Sequence, residues 1–256
     1  MAVDVRGLAK QMLADYDART PGRCATGPVT ITTVEAYAVQ SEIARLRELR
    51  GETVIGYKVG CTSRTVQAQL GVSEPIFGRL YAEERHLIGQ RLSAACFANL
   101  AVEGELAVRL REDLSGLNIT EDACRAAIES SFAVVELHHY VLPAAWPRMH
   151  WLIASGGLHA GFVCPKPETH GNEDVRRLTV RVNDHLVGDV EDPLKLTCPV
   201  RSLRWLAGRL AEFGIRLQAG QVILTGSPLP LFPVVPSSRV VVEAPPLGTC
   251  YVEIDP

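Results

Sequence analysis

The spacing of apolar positions changes along the chain. Residues 4–18 repeat apolar positions at helical intervals and predict a helix, which Pro21 and Gly22 break. Thr32 opens Thr-Thr-Val-Glu, a capping-box signature that predicts a second helix running to Arg50, with Gly51 as its stop. Strand-like alternation starts at Val54. Residues 65–70 predict a short helix ending at Gly71. Residues 95–110 and 132–141 predict two apolar strands, and Thr120 caps a helix between them over residues 121–130. Residues 143–175, rich in Pro, Gly and His, predict loop with one buried strand at 160–163. Two runs flanking Asn183-Asp184 predict a hairpin over 178–182 and 186–190. An amphipathic helix over 203–213 ends at Gly214, and strands follow over 221–226, 239–243 and 249–254.

Helices at the front and many strands behind, with few regular crossovers, predict an α+β fold. The chain shows no internal repeat and no low-complexity segment. The expected division is an N-terminal helical unit over residues 1–52 and a β core over 53–256, within one compact domain. The exposed faces of the helical unit offer a surface for a partner subunit.

Composition narrows the function classes. The 256 residues are 47% hydrophobic with a net charge of −3, which suits a globular core and gives no footprint for nucleic acid. No apolar run reaches the ~20 residues of a membrane span, and the N-terminus lacks an apolar signal core. A cytoplasmic enzyme is expected. The Arg-rich stretch 44–50 predicts a solvated helix face. The seven cysteines form no Cys-x-x-Cys pair, which argues against a disulfide framework or structural zinc. Cys61, Cys96, Cys164, Cys198 and Cys250 are expected to act as small buried hydrophobes.

Three glutamates stand inside the apolar runs. Glu103 and Glu105, two apart on a strand, project to one face with Gly104 behind them, and Glu136 lies in the second run. A lone Glu-x-Glu can be the solvated face of an edge strand. Three convergent carboxylates instead need a cation, and the simplest is Mg²⁺ or Mn²⁺ with positions left open for substrate. Lys58, in Val-Ile-Gly-Tyr-Lys-Val-Gly, is an unusual lysine in an apolar strand. It is expected either to face the acids and act on substrate or to be a structural ion pair. Glu74-Pro75 can hold a carboxylate at the mouth of a site, and Thr225-Gly226-Ser227 can receive an anionic group where a strand ends. Thr62 and Ser63 are weaker candidates of that kind. His138 shares strand parity with Glu136 and His139 does not, so His138 is expected to face the site.

Four stretches, residues 54–63, 70–80, 103–105 with 136, and 220–227, occur in an order that resembles the fumarylacetoacetate hydrolase superfamily. The resemblance is to its 2-oxopent-4-enoate hydratase and 4-oxalocrotonate decarboxylase branch and spans nearly the whole chain. It implies a mixed, rolled β-barrel-like core with helices outside. It implies metal ligands at Glu103, Glu105 and Glu136, a catalytic Lys58, and substrate contacts at Thr225 and Ser227, while Glu74 stands equally as a substrate contact or an ordinary turn acid. The implied substrate is a small unsaturated 2-oxo acid, and the assembly a homo-oligomer or one including a paralogous subunit. Hydration of a 2-hydroxydienoate through a stabilised enolate is the leading expectation. Decarboxylation of a 4-oxalocrotonate-like acid is the alternative, and a diverged non-catalytic partner subunit a further one. Acylpyruvate-type hydrolysis is disfavoured because no His-Glu pair precedes His86.

The chain departs from this pattern at Ala154-Ser155-Gly156-Gly157-Leu158, where the family usually reads like Ala-Asp-Asn-Ala-Ser. Ser155 is retained as a substrate-binding candidate, and His138 and His159 as proton carriers. The glycines are expected to free space beside the metal, and Leu158 to favour a bulkier or less polar substrate tail.

Overall fold

The structure is a computed structural model that describes residues 3–21, 23, 31–70, 72–141, 148–165, 175–191, 196 and 198–256. The expected breaks at Gly22 and Gly71 lie outside these residues, as does Cys24. The chain opens with α1 (Val5–Asp17) and α2 (Thr33–Leu49), followed by β1 (Val54–Gly60), α3 (Arg64–Leu70) and β2 (Ile76–Tyr81). Next come β3 (Arg85–Leu87), β4 (Arg91–Ser93), β5 (Leu100–Leu110), α4 (Glu121–Ala127) and β6 (Ile128–His139). Then α5 (Arg148–Ala154), β7 (His159–Cys164), β8 (Leu178–Val182), β9 (His185–Val190) and α6 (Pro199–Ala211) follow. The last strands are β10 (Val222–Leu224), β11 (Phe232–Pro233), β12 (Ser238–Glu243) and β13 (Thr249–Asp255).

Two mixed sheets form. The larger runs β2-β1-β10-β5-β6-β7-β3, with β11 also on β5; the smaller runs β4-β13-β12-β8-β9. Pairing of β1 with β10 and of β3 with β7 is parallel, while β5 with β6 is antiparallel. The larger sheet curls until β2 approaches β7: a Cβ on Gly78 would lie 2.4 Å from Gly156 O. This is the rolled α+β core that was expected. On its outer side α1, α2, α5 and α6 share one apolar cluster with Tyr57, Val59 and Phe77 of the sheet. On the other flank Val102, Leu106, Val135 and Leu137 pack on the smaller sheet. Leu80, Phe132, Val134, Phe162 and Leu224 fill the inside of the curl.

The capping box is present: Thr32 N donates to Glu35 Oε2 at 2.8 Å, and Glu35 N donates to Thr32 Oγ1 at 3.2 Å. Gly51 follows at φ +94°. Several expectations need correction. The helix after Thr120 stops at Ala127, because Ile128–His139 pairs along β5 and takes those residues into the strand. Part of the supposed loop is the helix α5. The last helix begins at Pro199, whose missing N–H is harmless in the first turn. Arg47 is not on a solvated face: it is 6% exposed and stacks 3.5 Å over the Tyr81 ring. Cys96 is exposed, Cys61 and Cys198 are half-buried, and Cys164 and Cys250 are buried. Among the described residues no helix is long and apolar enough to cross a membrane.

Candidate metal centre and active site

Strand register assembles the site. Glu103 of β5 lies opposite Glu136 of β6, so both point into the curl. Glu105 shares that face, and His138 follows Glu136 on it. Across the sheet Ala107 lies opposite Leu224, and Leu224 opposite Lys58, which brings the lysine to the same interior. Gly104 points the other way, and a Cβ there would lie 2.6 Å from Val180 of the second sheet. The acidic strand can therefore press against that sheet only because its middle residue has no side chain.

Within the curl, Lys58 Nζ lies 2.7 Å from Glu136 Oε1, and His159 Nδ1 lies 2.7 Å from the same oxygen. His138 Nε2 is 3.4 Å from both Glu103 Oε2 and Glu136 Oε2. Gly226 N donates to Glu105 Oε2 at 3.0 Å. Glu136 Oε2 and His138 Nε2 are buried yet have no hydrogen-bond partner. Glu103, Glu136 and His138 each offer a ligand atom within 4.8 Å of the others. Orphaned donor atoms converging in this way fit a hard divalent ion with mixed oxygen and imidazole ligation.

The charges are interlocked. Burial opposes the charge on Lys58, but Glu136, Glu103 and Glu105 outweigh it and hold the ammonium above its ordinary value. Burial likewise opposes ionisation of Glu136, yet Lys58 and then His138 bring its carboxyl well below the usual range. Burial, followed by Glu136 and Glu103, raises the Glu105 carboxyl well above it. Against burial, Glu136 pushes the His138 imidazole up to about 9. The cluster thus holds protons on Lys58, His138 and Glu105, with which a bound cation would compete.

The other candidates lie differently. Glu74 pairs with Arg209 at 3.5 Å on the half-exposed surface, and no described contact joins it to the cluster. Thr225 Oγ1 donates to Leu106 O at 2.7 Å and Ser227 Oγ to Gly104 O at 3.1 Å, so both hydroxyls are committed to backbone. Ser155 Oγ donates to Leu152 O and accepts from Leu158 N, closing the turn after α5. Thr62 packs where a Cβ on Gly226 would stand, and Ser63 Oγ accepts from Val66 N. Gly156, Gly157 and Leu158 all have positive φ, so the glycines serve a left-handed turn. The missing side chain at Gly157 leaves room that Lys58 fills: a Cβ there would lie 3.0 Å from Lys58 Nζ. His139 stays out of the cluster, accepting from Ala98 N at 3.0 Å.

Sequence reasoning missed Glu84. Its Oε1 accepts from Tyr16 Oη and from Arg47 Nη2, each at 2.5 Å, and its Oε2 faces His159 Nε2 at 3.8 Å. In Glu83-Glu84-Arg85 it looks like a solvated charge. A signal did exist for Arg47, which follows Ala36, Gln40 and Ala44 on the buried stripe of α2.

No protein-family model matches the chain. It is 31% identical to the 2-hydroxyhexa-2,4-dienoate hydratase of Comamonas testosteroni, over 87% of this chain and 86% of that protein. It is 30% identical to a 4-oxalocrotonate decarboxylase of a Pseudomonas species, over 88% of each chain. Its fold superposes with a TM-score of 0.88 and 26% identity on the 4-oxalocrotonate decarboxylase of Pseudomonas putida G7 complexed with magnesium and adipate, covering 98% of this chain and 97% of that one. Fold and relatives together define an enzyme of the lyase type. The chain belongs to the fumarylacetoacetate hydrolase superfamily, in its hydratase and decarboxylase branch.

Proposed function

We propose that this chain hydrates a small 2-hydroxydienoate, with Glu103, Glu105 and Glu136 holding Mg²⁺ and His138 available as a further donor. The observation that carries the reading is the convergence of Glu103, Glu136 and His138, with orphaned atoms on two of them, beside a charged Lys58. When bound, the ion supplies a Lewis acid for the 2-oxo oxygen of the substrate. The protein's own groups do the rest. The Lys58 ammonium, fixed by Glu136, binds the substrate carboxylate or delivers a proton. Glu136 also orients His159 through Nδ1, leaving that ring a proton carrier at the wall of the site. Leu80, Phe162 and Leu224 beneath the cluster exclude water and strengthen these charges.

Mg²⁺ is preferred to Mn²⁺ because the P. putida relative holds magnesium and most donors here are hard oxygens. Likeness to that structure over nearly its whole length also supports a second reading, decarboxylation of a 4-oxalocrotonate-like acid. An intact cluster argues against a non-catalytic partner subunit. The test is a panel of 2-hydroxydienoates of increasing tail length, with Mg²⁺, followed by loss of conjugated absorbance and by CO₂ release. Absorbance loss without CO₂ is expected, with greater turnover on the hexadienoate than on the pentadienoate. Stoichiometric CO₂ would move the chain to the decarboxylase reading, and inertness across the panel would defeat both.

A further inference from the structure

A pocket lies between α1, α2 and α5, beside the metal cluster but not lined by Lys58, Glu103, Glu136 or His138. Its body is apolar, formed by Met12 and Leu13 of α1, Ile43 of α2, Trp151 of α5 and Leu158. Its polar lining, which includes Arg47 and Arg79, also holds Glu84 and His159, which are only 7% and 5% exposed. Each has a buried atom without a hydrogen-bond partner, Glu84 Oε2 and His159 Nε2, and these two atoms stand 3.8 Å apart. The opposite ends of both groups are engaged. Glu84 Oε1 holds Tyr16 and Arg47, while His159 Nδ1 faces the Glu136 carboxylate. Since a carboxylate can only accept, Nδ1 carries the proton in the neutral ring and Nε2 becomes a second acceptor. Two desolvated acceptors face one another with no donor between them, at the end of an apolar pocket.

We propose that this pocket is a second ligand site, for a small molecule with an apolar body and a neutral hydroxyl head. The hydroxyl donates to Glu84 Oε2 and lies against His159 Nε2. A hydroxyl suits this position because its single proton goes to Glu84 Oε2 while the head stays uncharged. A carboxylate head is repelled by Glu84. An ammonium head lies near the Arg47 guanidinium, which already occupies the other oxygen of the same carboxylate, and near Arg79, which also lines the pocket. The apolar walls set the class of the body, as they do in most small-molecule sites. Only the His159 ring separates the bound head from Glu136, so the site adjoins the metal cluster without sharing its ligands.

The test uses the full chain, stripped of metal and again with Mg²⁺. Benzyl alcohol and 3-phenylpropan-1-ol are titrated by calorimetry, alongside 3-phenylpropanoate and 3-phenylpropylamine. Saturable one-site binding of the alcohols is expected with or without Mg²⁺, with weak or no binding of the two charged analogues. Alcohol binding should also shift the His159 ring signals in NMR spectra. Glu84→Gln should weaken alcohol binding about 10-fold or more, the scale for a lost charge-assisted hydrogen bond. Because that change also touches Arg47, Met12→Trp is the companion variant. It fills the pocket from α1, leaves the ion pairs in place, and should abolish binding. Absence of saturable alcohol binding, undiminished binding in Met12→Trp, or tighter binding of the propanoate or the amine would each overturn the proposal. Probe binding to the metal-free protein keeps this test separate from the metal-site reading, which stands or falls on Mg²⁺ affinity.

Discussion

Lys58 is buried among three carboxylates and still favoured in its charged form. A purely structural lysine and a catalytic one differ in what their loss does. We expect Lys58→Met to retain Mg²⁺ binding and the wild-type thermal midpoint while lowering kcat about 10²-fold or more. If the midpoint fell in step with activity, Lys58 would be a structural partner of Glu136. His139 presents the opposite case. Burial, with His159 and His138 nearby, lowers its imidazole to about 4. Its unfolded value is near 6.5, so its contribution to stability is complete above about pH 6.5 and is lost as pH falls toward about 4. That window amounts to about 3 kcal/mol at most. A cation held by the neighbouring strand face pushes in the same direction. Thermal midpoints should therefore fall less steeply between pH 7.5 and 4.5 in His139→Leu than in wild type, and parallel slopes would refute the assignment. Lys58 and the three glutamates were legible in the sequence because each interrupts an apolar strand with known parity. Glu74, Thr225 and Ser227 were not, because nothing local reveals that Arg209, Leu106 O and Gly104 O are waiting for them.

The acidic strand depends on a glycine that appears to the sequence as mere spacing. Gly104 faces Val180 and Val242, and no side chain fits there without displacing the second sheet. We expect Gly104→Val to destabilise the fold by roughly 1–3 kcal/mol through overpacking, seen as a lower urea midpoint. Gly208 of α6 is the control: a Cβ there meets nothing nearer than Leu117 O at 4.0 Å. Gly208→Ala should be neutral or stabilising by roughly 0.5–1 kcal/mol, the helical penalty of glycine. Equal effects at the two positions would contradict the packing argument. At this scale caps and periodicity served well for α1, α2 and the hairpin of β8 and β9. They failed for α5, whose seven residues are too few to display a helical stripe. They also failed at residues 128–130, where pairing with β5 overrides the local helical pattern.

At the scale of the whole molecule, the curl brings together residues far apart in the chain. Lys58 reaches the acids only because β1 pairs in parallel with β10, whose partner Leu224 is remote in sequence. No periodicity announces that pairing, and the rolled core was legible only through the family resemblance. The same closure gathers three carboxylates and His138 as ready-made ligands inside the fold, so a bound cation should stabilise the whole chain. Mg²⁺ at about 100 times its Kd should add about 2.7 kcal/mol, visible as a rise in thermal midpoint over the EDTA-treated protein. An unmoved midpoint at saturating Mg²⁺ would contradict this.

The most direct measurement is a calorimetric titration of Mg²⁺ into metal-stripped wild type, Glu103→Gln, Glu105→Gln and Glu136→Gln, each first shown to be folded. The structure predicts one site in wild type and a loss of a few kcal/mol of binding free energy in Glu103→Gln and Glu136→Gln, as expected for removing one charge from a compensated buried set. Glu105→Gln should weaken the site as well, and by less, because that carboxyl is already biased toward its neutral form. Unchanged Mg²⁺ affinity in all three variants would place the metal elsewhere and contradict the account.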